Sequence, residues 1–315
     1  MNYNQKSKFF VVVLLTTFLI TVYMSLKSMN PIQHEERFLD LDYGKIWYQR
    51  WFNQKTKDKT PVLFMHGGPG FESGAMVNLN PIAAIRPCIF YDQSGCGKSI
   101  IPKNTRVEWS FEHYERELET IIDKLGINKI ILFGYSWGAA LAVQYALQHP
   151  ERVEKLVLAS PYISTPHLLE NYTLLAQSKN MYDIIKKHEE EGTIESAEYQ
   201  EAYAIFFKSF IFRGDVSVFK NLTFNKEISE IMWGKNEFSV TGNLKNLNLI
   251  PLLHELKLPV LLTSGKFDTM TPSYMVLLHT QIHNSKLVIF EHSAHMPHIE
   301  EFTAYCQEVE KFLSD

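Results

Sequence analysis

The sequence predicts an α/β protein built on a mostly parallel, buried sheet. Two observations carry this. Short apolar runs at residues 61–65, 88–91, 129–133, 153–159, 258–263 and 287–290 alternate with longer stretches of helical spacing. The runs are mostly apolar and are bounded by Gly, Pro and Asp, as strands covered on both faces are. Strands alternating with helices give βαβ units and hence a parallel sheet.

The elements follow in order. Residues 39–51 bracket the turn signal Asp42-Tyr43-Gly44 and read as a β-hairpin. The run at 61–65 ends in His66-Gly67-Gly68-Pro69-Gly70, and that at 88–91 ends at Asp92. Ser110 can cap a helix over 111–125, closed by Gly126. The run at 129–133 leads into a small-residue helical stretch that reaches His149 and stops at Pro150. Between 161 and 251 the rhythm stops. This stretch is rich in Glu, Lys and aromatic residues, with helical spacing over 199–212 and a charge run at 189–191 that reads as a solvated face. It is expected to be a helical cap (161–251) inserted into a core of residues 31–160 and 252–315.

The N-terminus differs in kind. Lys6 and Lys8 precede residues 9–26, FFVVVLLTTFLITVYMSL, which are uncharged throughout. That is close to the ~20 residues a membrane-spanning helix needs. A membrane anchor over residues 1–30 is expected, with the remaining chain on the non-cytoplasmic side. A cleaved signal segment, which would leave the protein secreted, is the alternative; no small-x-small cleavage site follows.

Composition narrows the function. The chain has 315 residues, 45% hydrophobic, and a net charge of −4, so it can bury a sizeable core and offers no basic field to nucleic acid. Cys88, Cys96 and Cys306 lack metal-ligand spacing, and an odd number cannot form a fully paired framework. Gly97-Lys98-Ser99 resembles the tail of a phosphate loop. The leading glycine of that motif would fall at Asp92, however, and Pro102 argues against the helix the motif must open. No nucleotide is expected.

The chemistry lies at three strand ends. Gly134-Tyr135-Ser136-Trp137-Gly138 places a serine on a strand-to-helix turn, where small flanking residues relieve crowding. Serine is a weak nucleophile without a base. Asp268 and His295 follow, each in the loop after a later strand, in the order Ser–Asp–His. His292 and His298 are rivals for the base; His295 has the better loop placement, and His298 reads as a helix N-terminal residue. The bland alternative is a tight turn with a capping serine. Oxyanion donors are expected from the backbone N–H groups of Trp137 and Gly68.

Together HGGPG (66–70), DQSGCGKS (92–99), GYSWG (134–138), GKFDTMTP (265–272) and SAHMPHIEE (293–301) resemble the proline iminopeptidase family of α/β-hydrolases. The resemblance runs from about residue 36 to the C-terminus. It implies an α/β-hydrolase fold that releases an N-terminal residue, often proline, from a peptide or amino-acid amide through an acyl-enzyme, without metal or organic cofactor. It places the DQ-x-G-x-G-x-S loop beside the active site; the family usually has Arg where this chain has Ser94. Residues 207–215 resemble a cap segment reading Tyr-x-x-His-x-x-Arg-x-Glu or Asp. Arg213 and Asp215 match, while Phe207 and Phe210 replace the Tyr and His. The resemblance thus implies Asp215 as the main acid for the substrate amine, with Phe207 also at the substrate. Many relatives have Glu directly after the triad Asp; this chain has Thr269. Asp215 could instead pair with Arg213 or cap a turn. A carboxylesterase, lipase or lactonase is the rival on the same scaffold, and a silent membrane-tethered binding protein is a rival of another class.

Overall fold

The computed structural model describes residues 31–314. The expected membrane segment at 9–26 lies outside them. Among the described residues no helix is long and apolar enough to cross a membrane.

The strands are β1 (Gln33–Leu41), β2 (Gly44–Phe52), β3 (Val62–Met65), β4 (Cys88–Tyr91), β5 (Ile130–Tyr135), β6 (Val153–Ala159), β7 (Val260–Gly265) and β8 (Ser285–Phe290). They form one eight-stranded sheet in the order β1-β2-β4-β3-β5-β6-β7-β8. The hairpin β1–β2 joins β4 antiparallel, and every later pairing is parallel. Gln33 therefore pairs with Phe52 at the end of the sheet where β4 begins at Cys88. The loops after β3, β4, β5, β7 and β8 lie at the opposite end.

The helices are α1 (Phe111–Lys124), α2 (Trp137–Gln148), α3 (Thr165–Ser178), α4 (Tyr182–Glu191), α5 (Ala197–Phe206), α6 (Lys226–Met232), α7 (Pro272–Gln281), α8 (Pro297–Glu300) and α9 (Phe302–Ser314). Successive strand residues face opposite sides of the sheet, which divides the core in two. Leu63, Ile89, Leu132, Leu158 and Leu262 pack with residues of α1 and α2. Phe64, Phe90, Ile131, Phe133 and Leu261 pack with Tyr305, Val309 and Leu313 of α9. The Phe64 ring stacks on both Phe90 (4.2 Å) and Phe133 (4.7 Å). Truncating a fully buried Phe to Ala costs about 3–5 kcal/mol, because the cavity adds to the lost transfer energy.

α1 starts and stops where the sequence signals it. Ser110 accepts from the His113 N–H (3.2 Å), and Gly126 adopts φ +66° just beyond its end. Two local features depart from the sequence reading. Residues Ser73–Ala84 wind as a tight, three-residue-per-turn helix, buried on Met76, Leu79 and Ile82; Pro81 and the lack of a 3.6-residue period hid it. The helix expected over 199–212 ends at Phe206, and Phe207–Ile211 continue as one wider turn. Helices α3–α6 lie between β6 and β7, and side chains of α3, α5 and α6 line a cavity over the strand-end loops.

Candidate active site

Ser136 sits between β5 and α2 at φ 52°, ψ −116°. A non-glycine residue with positive φ is strained and persists only where its surroundings fix it. Here they do: Ser136 N–H donates to Ala159 O (2.9 Å), and Ser136 O accepts from Tyr162 N–H (3.1 Å). The flanking glycines are obligatory. A Cβ on Gly134 would lie 2.5 Å from Ala139 Cα, and one on Gly138 would lie 2.3 Å from Met65 O.

His295 Nδ1 lies 2.7 Å from Asp268 Oδ1. The same oxygen accepts from Met270 N–H (2.9 Å) and Thr269 Oγ1 (3.2 Å). An ionised carboxylate only accepts, so Nδ1 carries the proton and Nε2 is left to act as base. Ser136 and His295 line the same cavity. The rival histidines lie elsewhere: His292 is exposed. His298 packs edge-on against Tyr135 (4.8 Å between rings), and burial pushes it down to about 3, so it stays neutral.

Of the two expected oxyanion donors, Trp137 directly follows Ser136 and Gly68 lines the cavity. Trp137 opens α2, so its N–H has no intrahelical acceptor, and the helix N-terminus favours negative charge. Gly68, at φ +124°, lines the cavity, while a Cβ on neighbouring Gly67 would stand 3.2 Å from Ser136 Cβ. The DQSGCGKS loop fastens these parts together. Gln93 Oε1 accepts from Trp137 Nε1 (2.9 Å), Gln93 Nε2 donates to His66 O (3.2 Å), and Gln93 N–H donates to His66 Nε2 (3.0 Å). That last bond fixes His66 as the Nδ1–H tautomer, donating to Gly67 O (2.9 Å). The loop is a brace, not a phosphate cradle: Asp92 Oδ2 takes the Lys98 N–H (2.8 Å), and no helix follows.

Ser94 stands over a buried acid. Glu117 accepts from Ser94 N–H (3.1 Å) and from the Tyr43 hydroxyl (2.7 Å), and Ser94 Oγ contacts His113 Nε2 (2.8 Å). Burial raises Glu117 to about 7, although these hydrogen bonds hold it lower than burial alone would.

The cavity above Ser136 is about 440 Å³. Leu168, Tyr172, Tyr203, Phe207 and Trp233 give it largely apolar walls, and Phe207 is thus where the sequence reading put it. Asp215 is not. Its exposed carboxylate caps a surface turn, accepting from Ser217 N–H (3.0 Å) and Ser217 Oγ (2.7 Å), and it does not line the cavity. The physical reason is local: a short acid two residues before a serine N–H closes a turn on itself more readily than it reaches inward. Its neighbour Arg213 turns to the Phe267 ring instead, 4.0 Å from the centroid.

Among the described residues three acids do line the cavity, none of them in the sequence reading: Glu72, which accepts from Thr223 N–H (3.0 Å), Glu230, which pairs with Lys226 (3.6 Å), and Glu237. Glu237 accepts from the Tyr172 hydroxyl (3.2 Å), and burial among protein atoms raises it to about 7. The sequence signal was slight: one acid set between Trp233-Gly234 and Phe238.

The alpha/beta hydrolase fold model matches residues 60–302. A proline iminopeptidase of Heyndrickxia coagulans is 34% identical over 89% of this chain and 99% of its own. One from Saccharolobus solfataricus is 33% identical over 86% of this chain and 90% of its own. The crystal structure of a Mycobacterium smegmatis proline iminopeptidase superposes with a TM-score of 0.79 at 24% identity, over 89% of this chain and 98% of that one, and speaks for the fold. With relatives this similar along nearly the whole described length, and its motifs standing where the strand ends require, the chain belongs to the proline iminopeptidase family of α/β-hydrolases.

Proposed function

We propose that the protein is a serine aminopeptidase that releases an N-terminal residue, proline or another apolar one, from short peptides or amino-acid amides. The observation that carries this is Glu237, an acid on the wall of the same apolar cavity as Ser136 and His295. Its one hydrogen bond among the described residues comes from a neutral hydroxyl, and a free N-terminal amine is a cation that would complete its pairing. The names of the two curated relatives support the same reading.

In this mechanism the substrate amine docks on ionised Glu237 and its side chain fills the aromatic pocket. Ser136 Oγ attacks the carbonyl carbon while His295 Nε2 takes its proton. The oxyanion is held by the N–H groups of Gly68 and Trp137. Asp268 stabilises the imidazolium, which then protonates the leaving amine. Water enters, gives its proton to His295, and attacks the acyl carbon, releasing the amino acid and free Ser136.

The test is a panel of aminoacyl arylamides, N-acetylated arylamides and short aryl esters. Prolyl arylamide should be hydrolysed and its N-acetyl form refused. Ester turnover without arylamide turnover would favour the carboxylesterase or lactonase reading.

Residues 9–26 are proposed to anchor the protein, with the catalytic part on the non-cytoplasmic side. Their uncharged length and the preceding Lys6 and Lys8 support this. Full-length protein should sediment with membranes, and recovery of unprocessed protein in the soluble fraction would refute it.

A further inference from the structure

One carboxylate joins the cap to the catalytic histidine. Glu300 closes α8, just after the His295 loop. Its Oε2 accepts from the N–H of Ala294 (2.7 Å), the residue before His295, and its Oε1 accepts from the backbone N–H of Arg213 in the insertion. Beside this bridge, His295 donates its own backbone N–H to Ile211 O (3.1 Å). The Arg213 guanidinium lies over Phe267, which precedes Asp268. The segment so fastened is the wide turn Phe207–Ile211, closed by Phe212 N–H donating to Phe207 O (2.9 Å). Phe207 and Ile211 both face the cavity. Turns of this width inside helices recur at functional sites.

We propose that Glu300 is a positioning residue that fixes His295 to the cavity wall formed by Phe207 and Ile211, so that substrate side chain and catalytic base share one frame. The inference rests on His295 as the base and not on the identity of the natural substrate. Both oxygens of Glu300 take backbone N–H groups, and charge-assisted bonds of this kind are about twice as strong as neutral ones. Glutamine has the same shape but only one accepting oxygen, so one of the two bonds is lost and an N–H is left facing an N–H. Glu301 separately holds the outer part of the loop, through His292 N–H (2.9 Å) and Ser293 Oγ (2.5 Å), so the loop keeps its fold when Glu300 changes. What changes is alignment, and a base misplaced by about 1 Å costs on the order of 100-fold in rate.

The experiment measures Glu300→Gln by fluorophosphonate inactivation and by steady-state kinetics on whichever arylamide or ester the parent turns over. Inactivation needs only the serine–histidine pair, so it remains decisive if the aminopeptidase reading fails. The inactivation rate and kcat should both fall ~10- to 100-fold while KM stays within about threefold. If Glu300→Gln does not fold, Arg213→Pro removes the same bond from the cap side. Phe212 before it is extended (φ −148°, ψ 123°) and tolerates a following proline. Arg213→Ala keeps the N–H and should lose less than Arg213→Pro. A folded variant with inactivation rate and kcat within threefold of the parent, a loss confined to KM, or equal losses in the two Arg213 variants would overturn the proposal.

Discussion

Tyr172 donates its phenolic hydrogen to Glu237 across 3.2 Å, inside the cavity onto which Ser136 and His295 open. One bond from a neutral hydroxyl does not offset the burial of that carboxylate, and Glu237 rises to about 7. An incoming ammonium group would by linkage pull the acid back to its ionised form.

Glu237→Gln should therefore weaken turnover of arylamides that carry a free amine and largely spare a neutral aryl ester. A lost charged hydrogen bond is worth roughly 1.5–3 kcal/mol, or about 10- to 150-fold in kcat/KM. Equal losses on both substrates would assign Glu237 a structural role.

The same acid sets a pH dependence. Its folded value lies above the ordinary carboxylate range, so the ionised form needed for amine binding is lost as pH falls through about 7. In the parent enzyme the ratio of arylamide to ester kcat/KM should drop about tenfold per pH unit below that point. Steps common to both substrates cancel in the ratio. In Glu237→Gln the ratio should be flat with pH.

Asp215→Asn should leave arylamide kinetics within about twofold of the parent, since the carboxylate caps an exposed turn. A specific tenfold loss on amine substrates would return Asp215 to the site.

Ser136→Ala should lower kcat by several orders of magnitude with the fold unchanged, and abolish fluorophosphonate labelling. Circular dichroism and thermal melting would confirm the fold. Turnover within tenfold of the parent would remove Ser136 from the nucleophile's role.

Glu117 makes a stability prediction. Burial raises it from 4.5 to about 7, so the fold favours its neutral form. The stability it contributes is complete below about pH 4.5 and is lost as pH rises through about 7, a change on the order of 3 kcal/mol. Glu237 acts in the same direction. Between pH 5 and 8 the melting temperature of Glu117→Gln should fall less than that of the parent. Parallel curves would show that Glu117 ionises as freely in the fold as outside it.

The sheet and the Ser136–Asp268–His295 set were legible because each is written locally. A strand buried on both faces must be an apolar run, and a nucleophile on a sharp turn must be flanked by small residues. The acids of the cap were not legible in the same way, because their roles are made by neighbours that the sequence pattern does not show. Glu189 heads a charge run that reads as a solvated face, yet it accepts from Phe238 N–H (2.9 Å), Ser239 Oγ (2.9 Å) and the Tyr199 hydroxyl (3.2 Å), clamping the loop that carries Glu237. Asp215 matched a pattern by its spacing to Arg213, but the helix widens at Phe207–Ile211 before it, and its carboxylate then closes on Ser217 at the surface. Sequence spacing could not report a change of helical pitch.

The antiparallel hairpin at the sheet's edge also decides how the enzyme can be held. Because β1 begins beside Phe52, at the end of β4 away from the catalytic loops, any leash on the N-terminal side pulls from the back of the molecule. Protein coupled to a bead or a chip through that side would present its mouth outward, and its kcat/KM for short peptides should match that of free enzyme. Coupling through the cap would set the mouth against the support.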